Sequence, residues 1–352
     1  MNYYKQIDSF RFFAAFAVLT SHWLPSNPIV KKLQLGFIGV DFFFIVSGFL
    51  ITYQLLILKS SVDDGQVKPL KAIGNFILRR GIRIFPLYYL VLVFATFFNK
   101  NEIRDAFLFN VSYLSNFYFI EVQKWNGIFS HFWSLSVEEH FYLVWPIVLL
   151  ATKRKLIYGL AVCVILFSVV FRYVVFTSAY DYFAVHIHTL ACLDLFMYGA
   201  ILAFFLKFIP ELFKRIFSIK TLKVTVVAAI LLNVAIMYFN EDQQVYMWVF
   251  FRMTFGVLCA FLLGFLVMGF KGIAGQIFEN KWLILGGKLS YAIYLVHSFV
   301  PGILLELKKL ELPTAVEFLI YFIATVLISL VLHYLVETPV RRWGNKFRLN
   351  LS

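Results

Sequence analysis

Residues 38–58 read IGVDFFFIVSGFLITYQLLIL, an apolar run whose one charged side chain is Asp41. About twenty such residues in an α-helix reach across a hydrocarbon core roughly 30 Å thick. In lipid the backbone polar groups of a lone segment are satisfied only when it is helical. The stretch therefore reads as a membrane-spanning helix with a carboxylate near one end. Working outward, nine further runs of comparable length lie near 7–25, 83–99, 132–152, 155–177, 187–207, 222–239, 248–270, 287–306 and 315–336. The stretch 105–120, DAFLFNVSYLSNFYFI, is too short and too broken by polar groups to span, and reads as interfacial or re-entrant.

Composition agrees. Of 352 residues, 61% are hydrophobic, 20% aromatic and only 14% charged, where a soluble domain carries about a quarter charged residues. The formal net charge is +13, which in a soluble protein would suggest an anionic partner. Here it follows the positive-inside bias of membrane proteins. With the amino terminus placed in the cytoplasm, 23 Lys and Arg fall on the cytoplasmic side and seven on the other; Arg172 and Arg252 lie within spans. This predicts an all-α integral membrane bundle of about ten transmembrane helices, both termini cytoplasmic, with residues 1–352 forming a single transmembrane domain. The first apolar stretch carries Arg11 and His22 and reads as a retained helix rather than a cleaved leader. Cys163, Cys192 and Cys259 are isolated within apolar segments, so neither a disulfide framework nor a metal site is expected. Nucleic-acid signatures are lacking, and no nucleic-acid partner is expected.

Ionisable groups at membrane depth cost several kcal/mol unless paired or hydrated, so each marks a candidate site. Arg11 and His22 are eleven residues apart and share one helix face, roughly 16 Å from each other. Asp41 opens the second span at about the depth of His22. A carboxylate holding one imidazole nitrogen would leave the other as a base, although a structural polar pair between two helices reads the same way. The fourth span begins HFWSLSVEEHFYLVWP, where Glu138 and Glu139 diverge by about 100°; one faces the bundle, and the other needs a partner such as Arg172 or Arg252. His131 starts that helix. In the ninth span Ser290, Tyr294 and His297 run along one face. His186, His188 and Asp194 open the sixth span and read as a hydrated rim, while His333 and Glu337 read as interfacial anchors with Arg341 and Arg342. Arg79, Arg80 and Arg83 form a basic cluster before the third span. Arginine forks suit phosphate oxygens, and membrane lipid headgroups are the ordinary partner of such a cluster.

Taken in order, IDSFRFFAAFAVLTSH (7–22), GVDFFFIVSGFLIT (39–52), RRGIRIFPLYY (79–89), HFWSLSVEEHFYLVWP (131–146), LGGKLSYAIYLVH (285–297) and VETPVRRW (336–343) resemble the acyltransferase family 3 membrane proteins. The family's Arg-x10-His pattern falls on Arg11 and His22, and its Arg-x-x-Arg pattern on Arg80 and Arg83. Two departures are visible: Ser9 and Phe12 replace glycines usual around the first arginine, and His140 stands where glutamine is common, beside the expected site. The resemblance implies O-acylation of a bacterial cell-surface carbohydrate or lipid-linked glycan at the cytoplasmic (inner) membrane. The implied donor is an acyl-CoA, acetyl-CoA first, with no metal. Under that implication Arg11, Arg80 and Arg83 bind the coenzyme, and His22, Asp41, Glu138 and Glu139 are catalytic. His131, Tyr294 and His297 then bind the acceptor. A proton-coupled transporter or flippase is the competing class, because buried His and carboxylate groups also build proton relays. Against it, neither paired repeats nor interrupted helices are evident. Transfer of another acyl group, such as succinyl, is the alternative within acyltransferases.

Overall fold

The computed structural model describes residues 3–346 apart from Asn99, Asn126, Tyr180 and most of 219–248. The described residues contain no strand. Their long helices are α1 (Lys5–Trp23), α2 (Leu35–Asp63), α3 (Pro69–Phe98), α4 (Phe132–Ala151), α5 (Ile157–Ala179), α6 (Thr189–Phe208), α7 (Phe251–Met268), α8 (Lys281–Val296) and α9 (Thr314–Leu332). Each overlaps an expected span, although α3 begins well before the expected 83–99 and α8 ends well before the end of the expected 287–306; the expected span 222–239 lies largely outside the described residues. Among the described residues, six segments are long and apolar enough to cross a membrane: Pro28–Asp63, Pro69–Phe97, Arg154–Ala179, Tyr182–Phe208, Phe251–Met268 and Thr314–Gly344. The other three long helices are 16 to 20 residues long, and all of them carry charges within the apolar sequence: Asp8 and Arg11, Glu138 and Glu139, and Lys288. The 105–120 stretch forms two short helices, Lys100–Val111 and Ser115–Val122, with Tyr113 at φ +56° in the turn between them.

Six helices pack side by side in the order α9–α8–α1–α2–α6–α5, with α4 against α2 and α3, and α7 against α6 and α2. Burial follows that order. The most apolar window of the segment containing α2 is 61% buried, whereas those of the segments containing α5 and α9 are 22% and 17%. The end helices turn Leu166, Phe167 and Val170, and Leu319, Ile323 and Leu327, outward, as lipid-facing surfaces do.

Helices in lipid gain no hydrophobic drive to associate, so close crossings rely on small residues. Gly48 of α2 and Gly199 of α6 supply one: a Cβ at either would collide with the Phe196 or Ile45 carbonyl. Gly287 does the same for α8 against the Asp8 carbonyl of α1. The Ser9 and Phe12 departures are accommodated at this crossing. Phe12 lies over Gly286, so α8 supplies the small residues that α1 lacks, and the buried Ser9 hydroxyl donates to the Phe278 carbonyl.

Candidate active site

Two cavities lie one above the other along α1, α2, α4 and α8. The first is lined by Arg11, Ser47, Arg80, Arg83, Glu138, Glu139, Tyr142, Ser290 and Tyr291 among apolar side chains. Glu138 is held by two hydroxyls: Tyr142 donates to Oε2 at 2.8 Å and Ser47 to Oε1 at 3.1 Å. Tyr142 follows Glu138 by four residues, one helical turn, so both side chains reach the same face of α4. The Arg80 guanidinium sits over the Tyr142 ring, 5.4 Å from its centroid, a cation–π arrangement that fixes the charge toward the cavity. Arg11 contacts Asp8 at 3.3 Å. Glu139 is 5% exposed and makes no hydrogen bond to a described side chain, and the buried Ser290 hydroxyl has no partner. Both expected glutamates therefore reach this basic cavity, and neither uses Arg172 or Arg252. Arg83 is at the rim, while Arg79 is exposed and lines neither cavity.

The second and roomier cavity is lined by His22, Trp23, Phe37, Trp125, His131, Trp133 and Ser298. Val40 and Tyr294 line both cavities and form the partition between them. The Tyr294 and Ser134 hydroxyls hydrogen-bond to each other and both lie within reach of the His131 carbonyl, at 3.0 and 3.1 Å, which ties the partition to the start of α4. His22 Nδ1 lies 2.8 Å from His297 Nε2 and 3.3 Å from Ser298 Oγ. His131 and Tyr294 thus line the space where an acceptor was expected. His297 does not: it is fully buried behind His22.

The expected pairing of His22 with Asp41 is corrected. Asp41 accepts from Arg252 through Nε and Nη2, at 3.2 and 2.7 Å, and Arg252 Nη1 donates to the His186 carbonyl. Asp194, expected at a hydrated rim, is fully buried and paired with Arg172 at 2.7 Å. His186 is buried as well, 7% exposed, and lines neither cavity, though its ring packs against Phe37 of the second. Similar depth brought Asp41 and His22 together on paper, but the side chains leave their helices in different directions, and an arginine from α7 reaches Asp41 first. His140 lines neither cavity; it stacks on Phe117 and shares a 2.7 Å hydrogen bond with Thr189. Ser47, Tyr142, Ser298 and the tryptophans were missed by sequence reading. Tyr142 alone had a usable signal, its four-residue spacing from Glu138.

The chain is similar to the peptidoglycan O-acetyltransferase OatA of Listeria monocytogenes, 28% identical over 97% of this chain and 56% of that protein. It is similar also to the O-acetyltransferase OatA of Staphylococcus aureus, 28% identical over 98% of this chain and 58% of that protein. The chain thus spans somewhat more than half the length of these curated relatives. No solved structure matches it. The family model described as an acyltransferase domain matches residues 4–334, and the chain belongs to this family of membrane acyltransferases, acyltransferase family 3.

Proposed function

We propose that this protein transfers an acyl group, acetyl first, from a coenzyme A thioester in the basic cavity to a hydroxyl of a cell-envelope glycan in the histidine cavity. The observation that carries the reading is the partition: a cationic cavity and a cavity bearing His22 meet at Val40 and Tyr294. In this reading the helices form a ten-span bundle in a bacterial cytoplasmic membrane, with both termini cytoplasmic and the basic cavity open to that side. Arg80, Arg83 and Arg11 receive the coenzyme's phosphates. The pantetheine arm, on the order of 15–20 Å, spans a length like the roughly 16 Å between Arg11 and His22 on α1. The Glu139 carboxylate, which makes no hydrogen bond to a described side chain, accepts from an amide N–H of that arm, and the Ser290 hydroxyl donates to an amide carbonyl.

On the other side, Trp23, Trp125 and Trp133 give flat apolar faces and His131 a polar contact, as a sugar site needs. The glycan class follows the names of the relatives, with peptidoglycan the first acceptor to try. His22 takes the proton of the acceptor hydroxyl as its oxygen attacks the thioester carbonyl. The C–O bond forms, the C–S bond breaks, and the proton passes to the departing thiolate. The products are an ester and the free thiol of coenzyme A. A covalent acyl-His22 relay gives the same products in two steps.

The test is binding and turnover of radiolabelled acetyl-CoA by purified protein in nanodiscs supplied with peptidoglycan fragments. Wild type should turn over the donor, His22→Ala should bind it without turnover, and Arg80→Ala/Arg83→Ala should fail to bind. Undiminished turnover by His22→Ala sinks the role of His22. A wild type that binds no acyl-CoA sinks the donor assignment.

A further inference from the structure

Three imidazoles meet at the wall of the histidine cavity. The rings of His22 and His297 have centroids 4.8 Å apart, as do those of His131 and His297. They gather where α8 ends at Val296. The last carbonyls of a helix have no following turn to accept from, and here two are taken by imidazole. His297 Nδ1 lies 2.6 Å from the Tyr294 carbonyl, and His131 Nε2 lies 3.2 Å from the Leu295 carbonyl.

These contacts fix where the protons are. A carbonyl only accepts, so the proton of His297 is on Nδ1. A neutral imidazole has one donor and one acceptor nitrogen, which leaves Nε2 of His297 as an acceptor. No carboxylate contacts the three rings among the described residues, and His297 is fully buried, so a charged imidazolium there would be uncompensated. His22 Nδ1, 2.8 Å from that acceptor, must then carry its proton; the other tautomer would set two lone pairs against each other. Ser298 Oγ, 3.2 Å from the same nitrogen, adds a second donor. What remains is His22 Nε2, which makes no hydrogen bond to a described residue and belongs to a ring that lines the cavity.

We infer that His297 is a positioning residue that holds His22 in the Nδ1–H tautomer and so leaves Nε2 bare as the base. The role expected of a carboxylate is filled by a second imidazole, itself anchored on the carbonyl end of α8. The inference rests on the reading of His22 as the base.

The test uses full-length protein in nanodiscs with radiolabelled acetyl-CoA and peptidoglycan fragments. His297→Leu keeps an apolar filling but removes the acceptor, whereas His297→Gln places a carbonyl oxygen near the position of Nε2. His297→Leu should lower kcat by about 10- to 100-fold, the size of loss seen when a metal-bound histidine loses its orienting partner, with the KM for acetyl-CoA unchanged. His297→Gln should recover most of that loss. Equal impairment of the two variants, or wild-type kcat in His297→Leu, overturns the inference while His22→Ala stays inactive. Undiminished turnover in His22→Ala instead removes the reading beneath it. Nitrogen NMR of histidine-labelled wild type, with His22 assigned by its loss in His22→Ala, keeps the test decisive if a His297 variant does not fold. A proton on Nδ1 of His22 supports the inference, and a proton on Nε2 overturns it.

Discussion

Two polar groups of residues lie at membrane depth in this protein, and they are built on opposite plans. Between α2, α5, α6 and α7, the buried charges form ion pairs: Asp41 with Arg252, and Arg172 with Asp194, the last two fully buried, with Arg172 Nε the one guanidinium nitrogen of that pair left without a hydrogen bond. Around the two cavities, partners are missing. Glu139 makes no hydrogen bond to a described side chain, the Ser290 hydroxyl and His131 Nδ1 are buried without one, and Arg80 lies over the Phe76 and Tyr142 rings with no ion pair among the described residues. Buried polar groups are ordinarily satisfied, and each that is not calls for a reason. A cluster whose charges pair with one another serves the packing of its helices. An uncompensated one lining a cavity is completed by a ligand. The difference separates Asp41 from His22, which sequence reading had joined.

The largest effect that can break this comparison is at His22. Its replacement by Ala should lower kcat by on the order of 10²–10⁴, the usual contribution of a positioned acid–base group, while thermal unfolding in detergent is unmoved. At Asp41 the opposite split is expected. Asp41→Asn leaves Arg252 buried and unpaired, which costs about 3–5 kcal/mol of stability. Unfolding temperature and folded yield should both fall. The paired change Asp41→Leu/Arg252→Met should restore much of the loss and retain transfer activity. A well-folded but inactive double variant would return Asp41 to the catalytic group.

Smaller effects sharpen the contrast within the basic cavity. Glu139→Gln combined with Ser290→Ala should raise the KM for acetyl-CoA by about tenfold, since each hydrogen bond contributes about 0.5–1.5 kcal/mol. Stability should not drop, because no protein group loses a partner. A fall in unfolding temperature with unchanged KM would mark both residues as structural. The smallest change belongs to Arg79→Ala. This arginine is exposed and lines neither cavity, so KM should move by about twofold or less, as exposed charges contribute little. A tenfold rise would extend the phosphate site to the surface of α3.

Much of this molecule was legible in its residues one segment at a time. Apolar runs such as 38–58 and the long helices they form follow from the hydrophobic length of a segment, which is a local property. The basic cavity was nearly as readable. Arg80 and Arg83 lie one turn apart on α3, and any arginine cluster beside a span points to a phosphate-bearing partner. Charge at membrane depth likewise flagged Arg11, His22, Asp41, Glu138 and Glu139 before any contact was known.

What the sequence left open was which of these groups meet. The approach of α2 to α6 at Gly48 and Gly199 brings helices far apart in the chain into backbone contact, and no periodicity encodes that choice. The rotation of α2 gives Asp41 to Arg252, 211 residues away. His22 and His297 are 275 residues apart yet 2.8 Å from nitrogen to nitrogen. A residue's depth in the membrane can be counted along its own helix; its direction around that helix is settled only when the neighbouring helices pack against it.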